Sequence, residues 1–130
     1  LYIFYEIQAV NLSNRKAAEL IKAENTNNNL IVCDSAEPKS IAEFNDYGIR
    51  VIGAKKGPDS VEYGIKWLQD LEEIIIDPIR CTNTAREFSS YELEKDASGN
   101  FKAKFPDKNN HSIDAVRYSR EIDMKNVKVR

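Results

Sequence analysis

LIVC, residues 30 to 33, followed at once by Asp34, is the stretch on which the reading of the fold turns. A short, continuous apolar run bounded by polar residues is how a strand covered on both faces looks, and such strands belong to parallel sheets. The next twenty residues support this. SAEPKS leads into a helical pattern over residues 38 to 47, entered at Pro38 and ended by Gly48. RVIGA, residues 50 to 54, is then a second short strand.

Working outward, LYIFYEIQAV (1 to 10) is rich in β-branched and aromatic residues and reads as a strand. Asn11 to Asn14 is a turn in which Ser13 or Asn14 can cap a helix over residues 15 to 24, with Ala18, Leu20 and Ile21 on its buried face. KKGPD (55 to 59) is a loop, and residues 60 to 69 form a helix with Val61, Ile65 and Leu68 inward. EIIIDP (73 to 78) is a third apolar strand, and residues 83 to 88 are helical. SYELEKD and NFKAKF, flanking the turn 97 to 100, read as a β-hairpin. A last helix spans about 110 to 120, and residues 123 to 130 are expected to be a frayed basic tail. Strands alternating with helices indicate an α/β layered domain.

The 130 residues suit one domain, and a hydrophobic fraction of 42% allows an ordinary core. A net charge of −2 argues against a generally basic nucleic-acid binder, though not against a local basic patch. Cys33 and Cys81 form no CxxC pattern, so no zinc site is implied, and a reducing, cytosolic setting fits. No apolar run approaches the roughly 20 residues that span a bilayer. Asn11-Leu12-Ser13 matches a glycosylation sequon, but nothing suggests secretion. The chain has no GxxxxGK[ST] and should not hydrolyse ATP by itself.

Four groups could carry chemistry. Asp34 stands just past the carboxyl end of a strand, where open α/β sheets bind ligands, so it is poised for a metal ion or general-base work. Its competing reading is a turn-forming or helix-capping aspartate. Asp77 also ends a strand and reads better as a terminator that hydrogen-bonds the turn. His111, the single histidine, and Asp114 stand three apart at the start of the last helix, where side chains at that spacing are neighbours. They can bond each other, cap the helix or share a metal. The helix dipole alone accounts for an aspartate there, with Asn109 or Asn110 as the cap. Lys39, Arg50, Lys55, Lys56, Lys66 and Arg80 flank the strands. They are either solvated or, if they ring the carboxylates, able to hold a phosphate backbone.

Three stretches in order, CDSAEPKSIAEFNDYGIRVIGAKKGPDSVEYGIKWLQ (33 to 69), IIIDPIRCTNTAREFSSYEL (74 to 93) and DKNNHSIDAVRYS (107 to 119), resemble the C-terminal nuclease domain of phage terminase large subunits. The resemblance implies a ribonuclease H-like fold: a mixed sheet flanked by helices, over residues 1 to 122. It implies a metal-dependent endonuclease that cuts concatemeric viral DNA in the bacterial cytoplasm. Implied partners are double-stranded DNA and, for the whole protein, the small terminase subunit and the portal. The family's acidic residues hold two divalent ions, Mg²⁺ or Mn²⁺. Asp34 matches the second acidic position, Asp114 the third, and His111 a histidine beside the metals. The strand bearing the first aspartate has no counterpart here, since LYIFYEIQAV matches a later strand. The implied consequences are a weak or inactive nuclease and sheet edges beside LIVC open to self-association. Glu6 or Glu37 could stand in for the lost ligand. The alternative is a non-catalytic prophage remnant that binds DNA or protein partners.

Overall fold

The computed structural model describes residues 1–127. Its elements are β1 (Tyr2–Ile3), α1 (Asn14–Glu24), β2 (Ile31–Cys33), α2 (Pro38–Asp46), β3 (Val51–Gly53), α3 (Ser60–Gln69), β4 (Ile75–Ile76), α4 (Thr82–Ser90), α5 (His111–Ser119) and α6 (Glu121–Val127). The α/β class and the order of elements agree with the sequence reading. The chain divides into two compact units. One comprises Leu1–Glu6 with Asp59–Arg117; the other comprises Ile7–Pro58 with the segment starting at Tyr118.

The second of these units is built on the βαβ motif. β2 and β3 pair in parallel, Ile31 opposite Val51, Val32 opposite Ile52 and Cys33 opposite Gly53. The crossover is α2, with Pro38 in its first turn, where a missing N–H costs nothing. Gly48 ends it at φ +88°, a conformation costly for any residue with a Cβ. α1 starts where Ser13 Oγ accepts the Lys16 N–H at 3.1 Å. Asn14 Nδ2 then ties α1 to α2 by donating to Ser40 Oγ and Glu43 Oε2. Ala18, Ile49 and Val51 form the core, packed by Ile21, Ile31, Cys33, Ile41, Phe44 and Tyr47.

In the first unit β1 and β4 pair in parallel, Tyr2 opposite Ile75 and Ile3 opposite Ile76. Ile65 and Leu68 of α3, Cys81, and Ile113 of α5 are buried. Asp77 closes β4 as a strand terminator: its Oδ1 accepts the N–H groups of Ile79 (2.9 Å) and Arg80 (3.1 Å).

Several expectations change. Only Tyr2–Ile3 of the first ten residues is strand, and Ile7 to Val10 are exposed, because β4 offers just two residues to pair with. β2 is half-buried rather than covered on both faces; its described pairing is to β3 alone. Among the described residues each sheet has two strands, so every strand is an edge. Among the described residues both two-stranded sheets are parallel, and the antiparallel pairing is the bridge between Lys95 and Phe101. The hairpin survives as that bridge and a few bonds, including Lys102 N–H to Glu94 O at 2.7 Å, around a turn held by Asp96 Oδ1. Val61 is 41% exposed. The expected frayed tail is helical through Val127 as α6; residues 128–130 lie outside the described residues. Among the described residues no helix is long and apolar enough to cross a membrane.

Candidate metal-binding residues

Asp34 comes directly after β2, at the carboxyl end of the parallel pair. The turn-forming role weighed for it is met, and it carries an ion pair besides. Its Oδ1 accepts the Ala36 N–H at 3.0 Å, a local turn bond. The same oxygen is ion-paired with Lys56 Nζ. Lys56 comes from the loop after β3, so adjacent parallel strands deliver an acid and a base to the same end of the sheet. Bonding to Lys56, and then to the Ala36 N–H, lowers the Asp34 carboxyl below its ordinary value, so it stands ionised. The Lys56 ammonium also lies 5.6 Å from the centre of the Tyr118 ring. The pair is open to water, with side-chain exposures of 41% for Lys56 and 53% for Asp34.

The neighbouring Lys55 is held by its backbone. Its N–H donates to both carboxylate oxygens of Glu121, at 3.1 and 3.0 Å. Its side chain faces Lys125, whose ammonium is pushed below its ordinary value chiefly by this contact. Lys39 and Arg50 also belong to this unit, whereas Lys66 and Arg80 belong to the other. Arg80 Nε lies 3.8 Å from Asp77 Oδ2.

In the first unit, α5 begins at His111, which is exposed. Asp114 does not bond His111. Its Oδ1 accepts from Arg117 Nη2 at 2.7 Å, and the Arg117 side chain is only 6% exposed. The same guanidinium donates through Nη1 to Ser60 O at 3.4 Å, which links α5 to α3. Glu6 and Glu37 are engaged elsewhere. Glu6 caps α4 by accepting the N–H groups of Asn83 (2.8 Å) and Thr84 (3.2 Å), and Glu37 Oε2 accepts from Ser40 Oγ.

Carboxylate oxygens are the donors that Mg²⁺ and Mn²⁺ prefer, and Asp34 and Asp114 supply them in ionic environments. Among the described residues, no group of three or more His, Cys, Asp or Glu side chains is placed to hold a metal ion. Asp34 belongs to one unit, and His111 and Asp114 to the other.

A family model described as "Terminase RNAseH like domain" matches residues 1–121. The chain belongs to this terminase family. The terminase domain is 42% identical over 127 residues to the large terminase subunit of Bacillus phage SPP1, covering 96% of this chain and 30% of that protein. It is 33% identical over 99 residues to the PBSX phage terminase large subunit of Bacillus subtilis, covering 76% of this chain and 23% of the relative. The terminase domain thus spans less than a third of these relatives. A crystal structure of the SPP1 nuclease domain with bound Mn superposes at a TM-score of 0.86 with 41% identity, over 94% of this chain and 70% of that one. The fold is therefore the ribonuclease H-like fold of terminases. The large terminase of the thermophilic bacteriophage D6E shares that fold at a TM-score of 0.62 and 24% identity, over 85% of this chain and 29% of that one.

Sequence reasoning missed two residues of the terminase domain. Arg117 is a buried cation that holds Asp114, and Glu87 is a buried carboxylate on α4. One signal for Glu87 lay in the helical spacing: it stands three residues after Thr84, on the face that α4 buries.

Proposed function

We propose that this chain is part of the metal-dependent DNA endonuclease domain of a phage packaging terminase, cutting concatemeric double-stranded DNA in the bacterial cytoplasm. The nuclease part is residues 1–122, with a basic stretch over 123–130 after it. The observation that carries the reading is the likeness to the Mn-bound SPP1 nuclease domain over 94% of the chain. Asp34 and Asp114 are its metal ligands. His111 assists, as an imidazole suited to Mn²⁺ or as a partner behind a carboxylate. Divalent ions bound there supply an activated water and charge stabilisation for the leaving oxygen. The chain's own part is to keep the Asp34 carboxylate ionised and to present cations to the phosphate. Lys56 suits this role, because an ammonium displaced from Asp34 can meet a phosphate oxygen.

With Asp34 and Asp114 as the two acidic positions matched here, the reading includes weak or absent activity for these 130 residues alone. The edge of β2, whose described pairing is to β3 alone, supports pairing with a further strand, including one from a second copy. Sedimentation of the chain tests this, and a monomer at high concentration refutes self-association. The partners proposed for the whole protein are the small terminase subunit and the portal.

The deciding experiment is plasmid nicking with Mn²⁺. It compares this chain, its Asp34→Ala variant, and a chimera carrying at its N-terminus the corresponding segment of the SPP1 protein. Cutting by the chimera that is abolished by Asp34→Ala supports the reading. No cutting by any form, with either Mg²⁺ or Mn²⁺, refutes it in favour of a non-catalytic remnant that binds DNA or protein.

A further inference from the structure

We infer that Glu87 is a positioning residue that fixes the start of α5 and thereby the placement of His111 and Asp114. As a role in metal binding, the inference rests on the proposed endonuclease function.

The first turn of any α-helix presents N–H groups with no partner inside the helix. Usually the residue just before the helix supplies a side-chain oxygen to the second or third of them. In α5 that residue is Asn110, whose carbonyl accepts the Asp114 N–H at 2.8 Å. Its side chain does not do the capping. Asn110 is buried, and its Nδ2 points to Asp107 Oδ1 at 3.5 Å. The capping oxygen comes from another helix. Glu87 Oε1 accepts the Ser112 N–H at 2.8 Å and the Ile113 N–H at 3.4 Å.

The geometry makes this more than a stabilising contact. The two bonded amides lie between His111 and Asp114 in the chain. Glu87 is 8% exposed and Ile113 is 4% exposed, so the cap is shielded from water, which would otherwise compete for the amides. A carboxylate at a helix N-terminus also meets the positive end of the helix dipole. From the other side, Arg117 draws on the Asp114 carboxylate. Removing the Glu87 acceptor leaves two shielded N–H groups to find new partners, and the first turn must shift or unwind to do so. Both proposed metal-binding side chains on α5 shift with it.

The test uses the full chain with three variants. Glu87→Leu removes the acceptor, Glu87→Gln keeps one carbonyl oxygen in place, and Asp114→Asn is the ligand control. Two readouts are taken: Mn²⁺ affinity by electron paramagnetic resonance, and the amide resonances and hydrogen exchange of Ser112 and Ile113. The expected result for Glu87→Leu is faster exchange at both amides and Mn²⁺ binding weaker by about tenfold, the scale set by partners behind metal ligands. Glu87→Gln restores most of both, which a requirement for the charge alone does not predict. If Glu87→Leu fails to fold, Glu87→Asp, whose carboxylate stops one methylene short, takes its place. Unchanged amides in the acceptor-deficient variant overturn the inference. So does unchanged Mn²⁺ affinity where Asp114→Asn weakens binding. If Asp114→Asn leaves Mn²⁺ affinity unaltered, the metal-ligand reading falls instead, and the amides alone then decide whether Glu87 positions α5.

Discussion

Replacing Lys56 by methionine should strengthen divalent-ion binding at Asp34. Lys56 occupies Asp34 Oδ1, an oxygen a metal ion would also use, so ion and ammonium compete. The strength of the ammonium's hold sets the size of the effect. With side-chain exposures of 41% and 53%, the pair belongs to the surface class, worth about 0–1 kcal/mol once water screening is counted. The Tyr118 ring, 5.6 Å from the ammonium, adds roughly 0.5 kcal/mol at an exposed site. The total is about 1 kcal/mol, or roughly fivefold in affinity. Titration with Mn²⁺ at low ionic strength, following the free ion by electron paramagnetic resonance, reads it directly. The gain should shrink in high salt, where the competing pair is screened in the parent chain. The reasoning is refuted if Lys56→Met binds Mn²⁺ no more tightly than the parent while Asp34→Asn weakens binding. In that case Lys56 does not compete with the ion.

Gly64→Ala is a test of sign. Alanine normally favours a helix interior by about 1 kcal/mol, but here a Cβ would lie 2.7 Å from Cδ of the buried Arg117. Overpacking of about 1–3 kcal/mol should win, giving a lower melting temperature, whereas Gly57→Ala, with nothing within 4 Å, should be nearly neutral. Ile49→Ala, at a core position 2% exposed, should cost about 2–5 kcal/mol in urea unfolding; a loss below about 1 kcal/mol refutes the packing described for α1, α2 and β3. The Asp34 and Asp77 carboxyls are both held below their ordinary value of 3.8, by Lys56 and by turn N–H groups respectively. Their stabilising effect is therefore fully present above that value and lost as pH falls through the lower folded one. Thermal melts of Asp77→Asn and the parent should converge in strong acid and diverge towards neutrality; a constant difference contradicts the assignment. Burial raises both cysteine thiols, and Cys81 is fully buried, so iodoacetamide at mildly alkaline pH should label the native chain far more slowly than the unfolded one.

The sequence by itself determined the alternation of strands and helices, several helix boundaries and the family. These are short-range properties. Pro38, Gly48 and Ser13 act on their own or adjacent turns, and the apolar run at LIVC marks a strand without reference to any partner. The placement of Asp34 after β2 was legible for the same reason, as was Asp77 as a terminator, since its acceptor bonds reach only two and three residues onward. The tertiary structure decided what each group touches. LYIFYEIQAV has the composition of a long strand, yet its length in the sheet is set by the two-residue β4, more than seventy positions away. The sequence offers Asn109 or Asn110 as the cap of α5, and no local window reveals that Glu87, 25 residues before Ser112, supplies it. Lys56 on Asp34 and Glu6 on α4 are likewise contacts between distant segments. A buried or shared polar group takes whichever partner the packed chain brings near. Propensity fixes the elements, and packing alone decides which of their charged ends meet.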